Sequence, residues 1–211
     1  MTHQVTSTET IDSRRSWLFK TGSVAALITG MLLLIGMISL IASVLQPGTT
    51  NGWLLLFQNN WLVKIFILHA EFSSIPADLH GLNLLDIGIL LLVSILCLSL
   101  STAFRNAKAW SIIAFALSLI AIILFVTTHI AGRSTVMLAV LINSFVMLRN
   151  KTFGKVTTCT GILASVFLFI GDLTVGIHSN TITILLGVGY VLLITWFFLI
   201  ARSLFRLGRV S

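Results

Sequence analysis

The chain has 211 residues, of which 57% are hydrophobic and only 9% are charged, and its mean hydropathy is +1.07. A soluble domain of this length cannot bury so much apolar surface, and the apolar residues form long unbroken runs, so the sequence predicts an all-α integral membrane protein. The formal net charge of +7 does not indicate a nucleic-acid partner, because the basic residues lie in short groups beside the apolar runs.

The first apolar run covers about residues 21 to 46 and is long enough to cross a hydrocarbon layer of roughly 30 Å. The preceding stretch SRRSWLFK, residues 13 to 20, is similar to a twin-arginine export signal, but its spacing after the arginine pair is disturbed. No small-residue cleavage site follows, which favours a signal anchor over a cleaved peptide. Residues 1 to 20 are then a cytoplasmic leader, which begins with a disordered tail at 1 to 12.

The next apolar run, WLLLFQNNWLVKIFILHA at residues 53 to 70, is interrupted by amide side chains and by Lys64. We predict that it forms a helix that lies on or dips into the outer leaflet. Asn60, Lys64 and Glu71 would share its polar face, and its two tryptophans would lie at the interface. Pro76 ends any helix that precedes it, so an outward-facing loop follows.

Five further apolar runs are each close to the roughly 20 residues that a spanning helix needs. They lie at about 83 to 104, 109 to 130, 134 to 149, 156 to 177 and 181 to 203. The sequence therefore predicts one six-span transmembrane helix bundle over residues 21 to 204, followed by a cytoplasmic tail at 205 to 211.

The distribution of lysine and arginine determines the predicted topology. With six spans and the amino terminus inside, only Lys64 and Arg133 lie on the outer side. The cytoplasmic basic residues are Arg14, Arg15, Lys20, Arg105, Lys108, Arg149, Lys151, Lys155, Arg202, Arg206 and Arg209. A seventh span at 53 to 70 would reverse this bias and bury Lys64 in the membrane, so six spans with both termini cytoplasmic are favoured.

Two sets of residues indicate how the helices pack. Gly22, Ala26 and Gly30 recur at four-residue spacing in the first span, an arrangement that lets neighbouring helices approach closely. Asn143 and Ser144 lie in the short fourth span, where polar groups are expected to face another helix instead of lipid. We therefore expect the fourth span to be central in the bundle.

The predicted outer side holds four of the five histidines together with several acids. The loop HAEFSSIPADLH, residues 69 to 80, alone contributes two of each. Asp172 lies roughly 9 Å inside the fifth span, at 1.5 Å per residue, and a carboxylate within the membrane is a functional candidate. The candidate polar site comprises Asp172, His178, His129, Arg133, His69 and His80.

Three interpretations of this candidate polar site stay open. Imidazole and carboxylate groups suit zinc, and an open coordination position would activate water for an outer-face metal-dependent hydrolase. A proton-coupled site without metal is the second interpretation, although Asp172 and Arg133 would equally form a structural ion pair. The third is a solvated loop, because each histidine of the loop lies two residues from an acid, which matches no established ligand motif. Asp86 is interpreted as a first-turn acid of a helix capped by Asn83.

Catalytic sequence motifs are missing from the chain. It contains no GxSxG, HExxH or phosphate-binding glycine motif, and Cys97 and Cys159 form no CxxC pair. The preferred function is therefore a non-enzymatic scaffold, or a component that binds a small ligand, lipid or partner protein, without a cofactor. Its expected partners are membrane lipid and either a second copy of the chain or another membrane protein.

The stretch SFVMLRNKTFGKVTTCTGILASVFLF, residues 144 to 169, resembles a segment of a group of uncharacterised six-span prokaryotic membrane proteins. In that group a basic MLR turn and a GIL segment join the fourth and fifth spans, and the layout from about 15 to 207 is similar. The resemblance implies a multi-pass protein of a prokaryotic plasma membrane. It carries over no catalytic residue.

Overall fold

A computed structural model describes residues 5–45, 84–104, 108–128, 131–149, 153–174 and 180–210 of the chain. All regular secondary structure within these ranges is α-helical. The helices are α1 (Val5–Leu45), α2 (Leu84–Ala103), α3 (Lys108–Thr128), α4 (Ala131–Arg149), α5 (Lys155–Leu173) and α6 (Asn180–Val210). The all-α fold class predicted from the sequence is confirmed for this part of the chain.

The helices form in runs of apolar residues that contain no proline. Both prolines of the chain fall outside the six helices, and α1 ends at Leu45, two residues before Pro47. Hydroxyl side chains within the helices bond back to their own backbone, as Thr29 does when it donates to the Ala25 carbonyl at 2.8 Å. These bonds satisfy the hydroxyl groups without water, so serine and threonine are accommodated in apolar surroundings.

The predicted spans match the helices to within a few residues, except at the two ends of the chain. The predicted disordered tail at 1 to 12 is wrong from Val5 onward, because α1 begins there, and α6 extends to Val210 through most of the predicted tail. Once a helix has nucleated in an apolar run, each added residue gains a hydrogen bond, so flanks without proline join it. The predicted outer-leaflet helix at 53 to 70 lies outside the described residues.

Two of the helices are long and apolar enough to cross a membrane. These segments are Ser16–Ile38 within α1 and Ile184–Arg209 within α6. The other four helices contain shorter apolar segments, at Gly88–Ala103, Ala109–Leu124, Ser134–Arg149 and Lys155–Gly171. The predicted membrane location is therefore supported by the length and composition of two helices.

The six helices form a closed ring in chain order. Each helix packs against the next one, α6 returns to pack against α1, and α2 also contacts α4. The Ser16 hydroxyl donates to the Gly208 carbonyl at 2.8 Å, and the Ser23 hydroxyl donates to the Ala201 carbonyl at 2.7 Å. These bonds show that α1 and α6 are antiparallel, with the part of α1 near Ser16 beside the end of α6.

One end of the ring, termed the basic end, carries the described basic side chains. The amino-terminal parts of α1, α3 and α5 meet the carboxyl-terminal parts of α2, α4 and α6 here. The rings of Phe104 and Phe153, which follow α2 and precede α5, pack with centroids 5.5 Å apart. The exposed basic residues of this end are Lys20, Arg149, Lys155, Arg202, Arg206 and Arg209.

The described residues place apolar side chains outside and many hydroxyl groups inside. Every helix exposes large apolar side chains, among them Val24 at 54%, Ile123 at 64% and Ile184 at 67% exposure. The buried polar residues are Ser23, Thr29, Ser94, Ser99, Ser111, Ser118, Asn143, Ser144, Thr157, Thr158, Thr160 and Ser165. None of the buried side chains in the described ranges is charged.

Candidate functional site

A cluster of polar side chains from several helices lies in the interior of the ring, and we term it the polar core. It consists of Asn143 and Ser144 on α4, Trp196 on α6 and Cys97 on α2, each at most 1% exposed. The Asn143 side-chain amide donates to Cys97 Sγ at 3.3 Å, which joins α4 to α2 across the ring. The central position predicted for the fourth span is wrong, because α4 is one of six helices in the ring, and its Asn143 and Ser144 instead face the interior of the ring.

Gly161 on α5 completes the polar core. A β-carbon at this position would collide with the Ser144 hydroxyl and with the indole nitrogen of Trp196. Both polar atoms therefore lie directly against the bare backbone of α5. A residue without a side chain allows this approach, as small residues do where helices pack in membranes.

Three polar atoms of the polar core have no hydrogen-bond partner. They are Asn143 Oδ1, Ser144 Oγ and Trp196 Nε1. Leaving a buried donor or acceptor unsatisfied costs about 1 to 3 kcal/mol. Asn143 Oδ1 can accept a hydrogen bond, Ser144 Oγ can both donate and accept one, and Trp196 Nε1 can donate one. Amide, hydroxyl and indole groups can bind a polar group or pack, and none of them is an acid or base at neutral pH.

A groove opens at the basic end between α3 and α4. It has a volume of about 280 Å³ and is lined by Trp110, Ile142, Phe145, Val146 and Arg149. Because α3 and α4 are antiparallel, Trp110 in the first turn of α3 lies across from Arg149 in the last turn of α4. The lining is apolar except at its outer end, where the guanidinium group and the indole are placed.

The residues of the candidate polar site fall mostly outside the described part of the chain. His69, His80, His129 and His178 lie outside it, and only the backbone of Arg133 and Asp172 is described. Arg133 lies in the first turn of α4, and Asp172 lies in the last turn of α5. Both backbone positions are therefore at the end of the ring opposite the basic end.

Convergence of the candidate polar site on a metal ion or a proton stays a prediction. Among the described side chains, no three histidine, cysteine or acidic residues are grouped to hold a metal ion.

The small residues of α1 line its contacts with two neighbouring helices. Gly22 and Ala26 are buried, and a β-carbon on Gly22 would collide with Ser99 of α2. A β-carbon on Gly30 would lie 3.3 Å from Phe197 Cβ on α6. The small residues at four-residue spacing therefore lie on the side of α1 that faces α2 and α6.

Sequence reasoning did not find Trp196 or the groove. An indole within the apolar run of α6 has the same sequence pattern whether it faces lipid or the interior, and only its contact with Gly161 distinguishes the two. Arg149 was assigned to the cytoplasmic side from the sequence, but its position beside Trp110 was not predicted. Their juxtaposition arises from the antiparallel pairing of α3 with α4, which single-residue properties do not reveal.

Comparison with protein families, with characterised proteins and with solved structures finds no match to this chain. The resemblance of residues 144 to 169 to six-span prokaryotic membrane proteins therefore stays a prediction.

Proposed function

We propose that this protein is a six-span integral membrane protein of a prokaryotic plasma membrane, and that it acts by binding lipid or a partner protein without catalysis. The observation that carries the proposal is the set of large apolar side chains that every described helix exposes. In water, contiguous apolar surface on every helix would drive aggregation, because soluble monomers rarely expose apolar patches beyond a few hundred Å². In a bilayer, the same exposed apolar surface is the stable arrangement.

The hydrogen bonds between buried parts of the helices support the same proposal. Helices in lipid gain nothing from burying leucine against leucine, so their association depends on close packing of small residues and on hydrogen bonds between helices. The bonds from Ser16 and Ser23 to carbonyl groups of α6 have this character, and so does the bond from the Ser99 hydroxyl to the Leu18 carbonyl at 2.9 Å. The six helices pack into one bundle, so we assign a span to each.

The basic end supports a cytoplasmic location for both termini. Lysine and arginine are enriched in cytoplasmic segments of membrane proteins, and tryptophan is enriched at the membrane boundary. Trp17 and Trp110 are 65% and 54% exposed, and both lie at the basic end. The start of α1 and the end of α6 lie at the same end, so both termini would face the cytoplasm.

Binding is the activity that the charged surface favours. The inner leaflet carries anionic lipids, and each nearby lysine or arginine contributes about 1 kcal/mol of attraction. Six exposed basic side chains at one end therefore offer a surface for anionic lipid headgroups or for an acidic partner.

Cysteine labelling tests the topology. Asp78→Cys and Asn106→Cys are introduced separately into a Cys159→Ser background, in which the buried Cys97 remains as an internal control. An impermeant maleimide should label position 78 in intact cells and position 106 only after permeabilisation. Labelling of position 106 from outside would overturn the proposed topology.

Lipid analysis of the purified protein tests the binding role. The phospholipid that remains bound in mild detergent should be enriched in anionic species relative to the membrane from which the protein was extracted. A bound fraction with the same composition as that membrane would contradict anionic-lipid binding, while the topology would still stand on the labelling result.

A further inference from the structure

The groove between α3 and α4 combines an apolar wall with a single positive charge at its outer end. Its lining on α4 runs from Ile142 to Arg149, a distance of about 10 Å along the axis at 1.5 Å per residue. Ile142, Phe145 and Val146 form the inner part, and Trp110 lies at the mouth beside Arg149. A molecule that fits this groove has an anionic head and an apolar tail.

The start of α3 adds to the positive potential at the mouth. Trp110 is the third residue of α3, so it belongs to the first turn, whose backbone N–H groups have no partner within the helix. These groups and the helix dipole favour a bound anion. Arg149 supplies a full positive charge and a planar donor group that suits a phosphate. The anion site therefore has two independent sources of positive charge.

The groove also lies on the outer face of the ring, where membrane lipid would reach it. Phe145 and Trp110 are about half exposed, and the next exposed side chain on α4, Leu148, is 56% exposed. The volume of about 280 Å³ is near the lower limit of small-molecule pockets, roughly 300 Å³. That space accommodates part of one acyl chain and leaves the rest of the lipid in the bilayer.

We propose that this groove is a binding site for one anionic glycerophospholipid of the inner leaflet, with its phosphate at Arg149 and the start of α3 and an acyl chain along Ile142, Phe145 and Val146. The proposal rests on the membrane function proposed above and names the site of lipid binding. Basic pockets between transmembrane helices on the cytoplasmic side recognise lipid headgroups in this way. In this groove the apolar lining lies directly beside the guanidinium group of Arg149.

Native mass spectrometry of the full-length protein in mild detergent tests the site. Dioleoyl phosphatidylglycerol and dioleoyl phosphatidylcholine are titrated separately, and the apparent dissociation constant of the first adduct is measured. Arg149→Gln should weaken phosphatidylglycerol binding about five-fold, the equivalent of one basic residue, and should leave phosphatidylcholine binding unchanged. Phe145→Ala should weaken binding of both lipids, because it removes part of the wall that contacts the acyl chain.

Arg206→Gln is the matched control. Arg206 is an exposed basic residue of the same end, but it lies on α6, across the ring from the groove. Because Arg206 belongs to the basic end but not to the groove, this variant should leave the dissociation constant of the first phosphatidylglycerol adduct unchanged and should weaken only the later adducts. Circular dichroism melts establish that all three variants are folded at the temperature of the titration.

Three outcomes would overturn the assignment: unchanged phosphatidylglycerol binding in Arg149→Gln, an equal loss in Arg206→Gln, or a dimer of the chain in place of the lipid adduct. The first two outcomes would leave the enrichment of anionic lipid on the purified protein intact, and they would place the bound lipid elsewhere at the basic end. A protein without any enrichment contradicts the binding function itself, so failure of the site and failure of the function are distinguishable.

Discussion

Substitution of Gly161 by alanine tests whether α5 is held in backbone contact with α4 and α6. A β-carbon at this position would lie 2.6 Å from Trp196 Cδ1, whereas carbon atoms pack at about 3.5 to 4.0 Å. Either α5 or the indole must therefore move by roughly 1 Å. Ser144 and Trp196 are at most 1% exposed, so neither side chain can turn out of the interior to relieve the contact.

The expected cost follows from these distances. Overpacking of a buried site costs about 1 to 3 kcal/mol, while alanine gains up to about 1 kcal/mol over glycine in a helix. Gly187→Ala on α6 is the matched control, because a β-carbon there would meet nothing within 4 Å. The free energies of unfolding of the two variants should therefore differ by about 1 to 3 kcal/mol, with Gly161→Ala the less stable.

Thermal unfolding in one detergent, followed by circular dichroism, measures this difference. Each kcal/mol corresponds to about 2 to 4 °C in melting temperature for a protein of this size. Adding Ser144→Ala to the Gly161 variant should recover part of the loss, because one of the colliding atoms is removed. Ser144→Ala alone should be neutral or stabilising, since its hydroxyl has no partner. Equal melting temperatures for the Gly161 and Gly187 variants would refute the close approach of α5.

Maleimide labelling of the folded protein in detergent should modify the exposed Cys159 and spare Cys97, which is 1% exposed and bonded to Asn143, until the protein unfolds. Similar rates for both thiols in the folded protein would contradict the packing of α2 against α4. Elemental analysis addresses the candidate polar site: we expect no stoichiometric zinc, because the two-residue spacing of its loop histidines and acids matches no ligand motif. One zinc ion per chain that is lost in Asp172→Asn would instead establish a metal site.

The positions of the helices could be predicted from the sequence because long apolar runs without proline leave few alternatives. Their ends were less predictable. The polar stretch after Val5 has no apolar pattern of its own, and the stretch up to Val210 alternates arginines with apolar residues, yet both continue neighbouring helices. Extension of an existing helix is inexpensive, so local polarity is a poor indicator of where such a helix stops.

The polar core was predictable only in part. Asn143 and Ser144 are conspicuous in an apolar run, and their polarity alone predicts that they avoid lipid. Their neighbours depend on which helices are adjacent and how each helix is rotated, and neither property is encoded at a single position. The contact of Trp196 with Gly161 and the groove that Trp110 and Arg149 line together both arise at this level.

The ring has a consequence for the order of assembly during synthesis. Helices adjacent in the chain are adjacent in the ring, so most contacts form between a helix and the one made just before it. The pairing of α1 with α6 is the largest exception, because the carbonyl that accepts the hydrogen bond of Ser23 lies 178 residues later in the chain. Until α6 emerges from the ribosome, the side of α1 near Gly30 lacks its partner. The nascent protein is therefore an open arc of helices until α6 packs against α1. In a chain truncated before residue 180, the side of α1 that contacts α6 would stay uncovered.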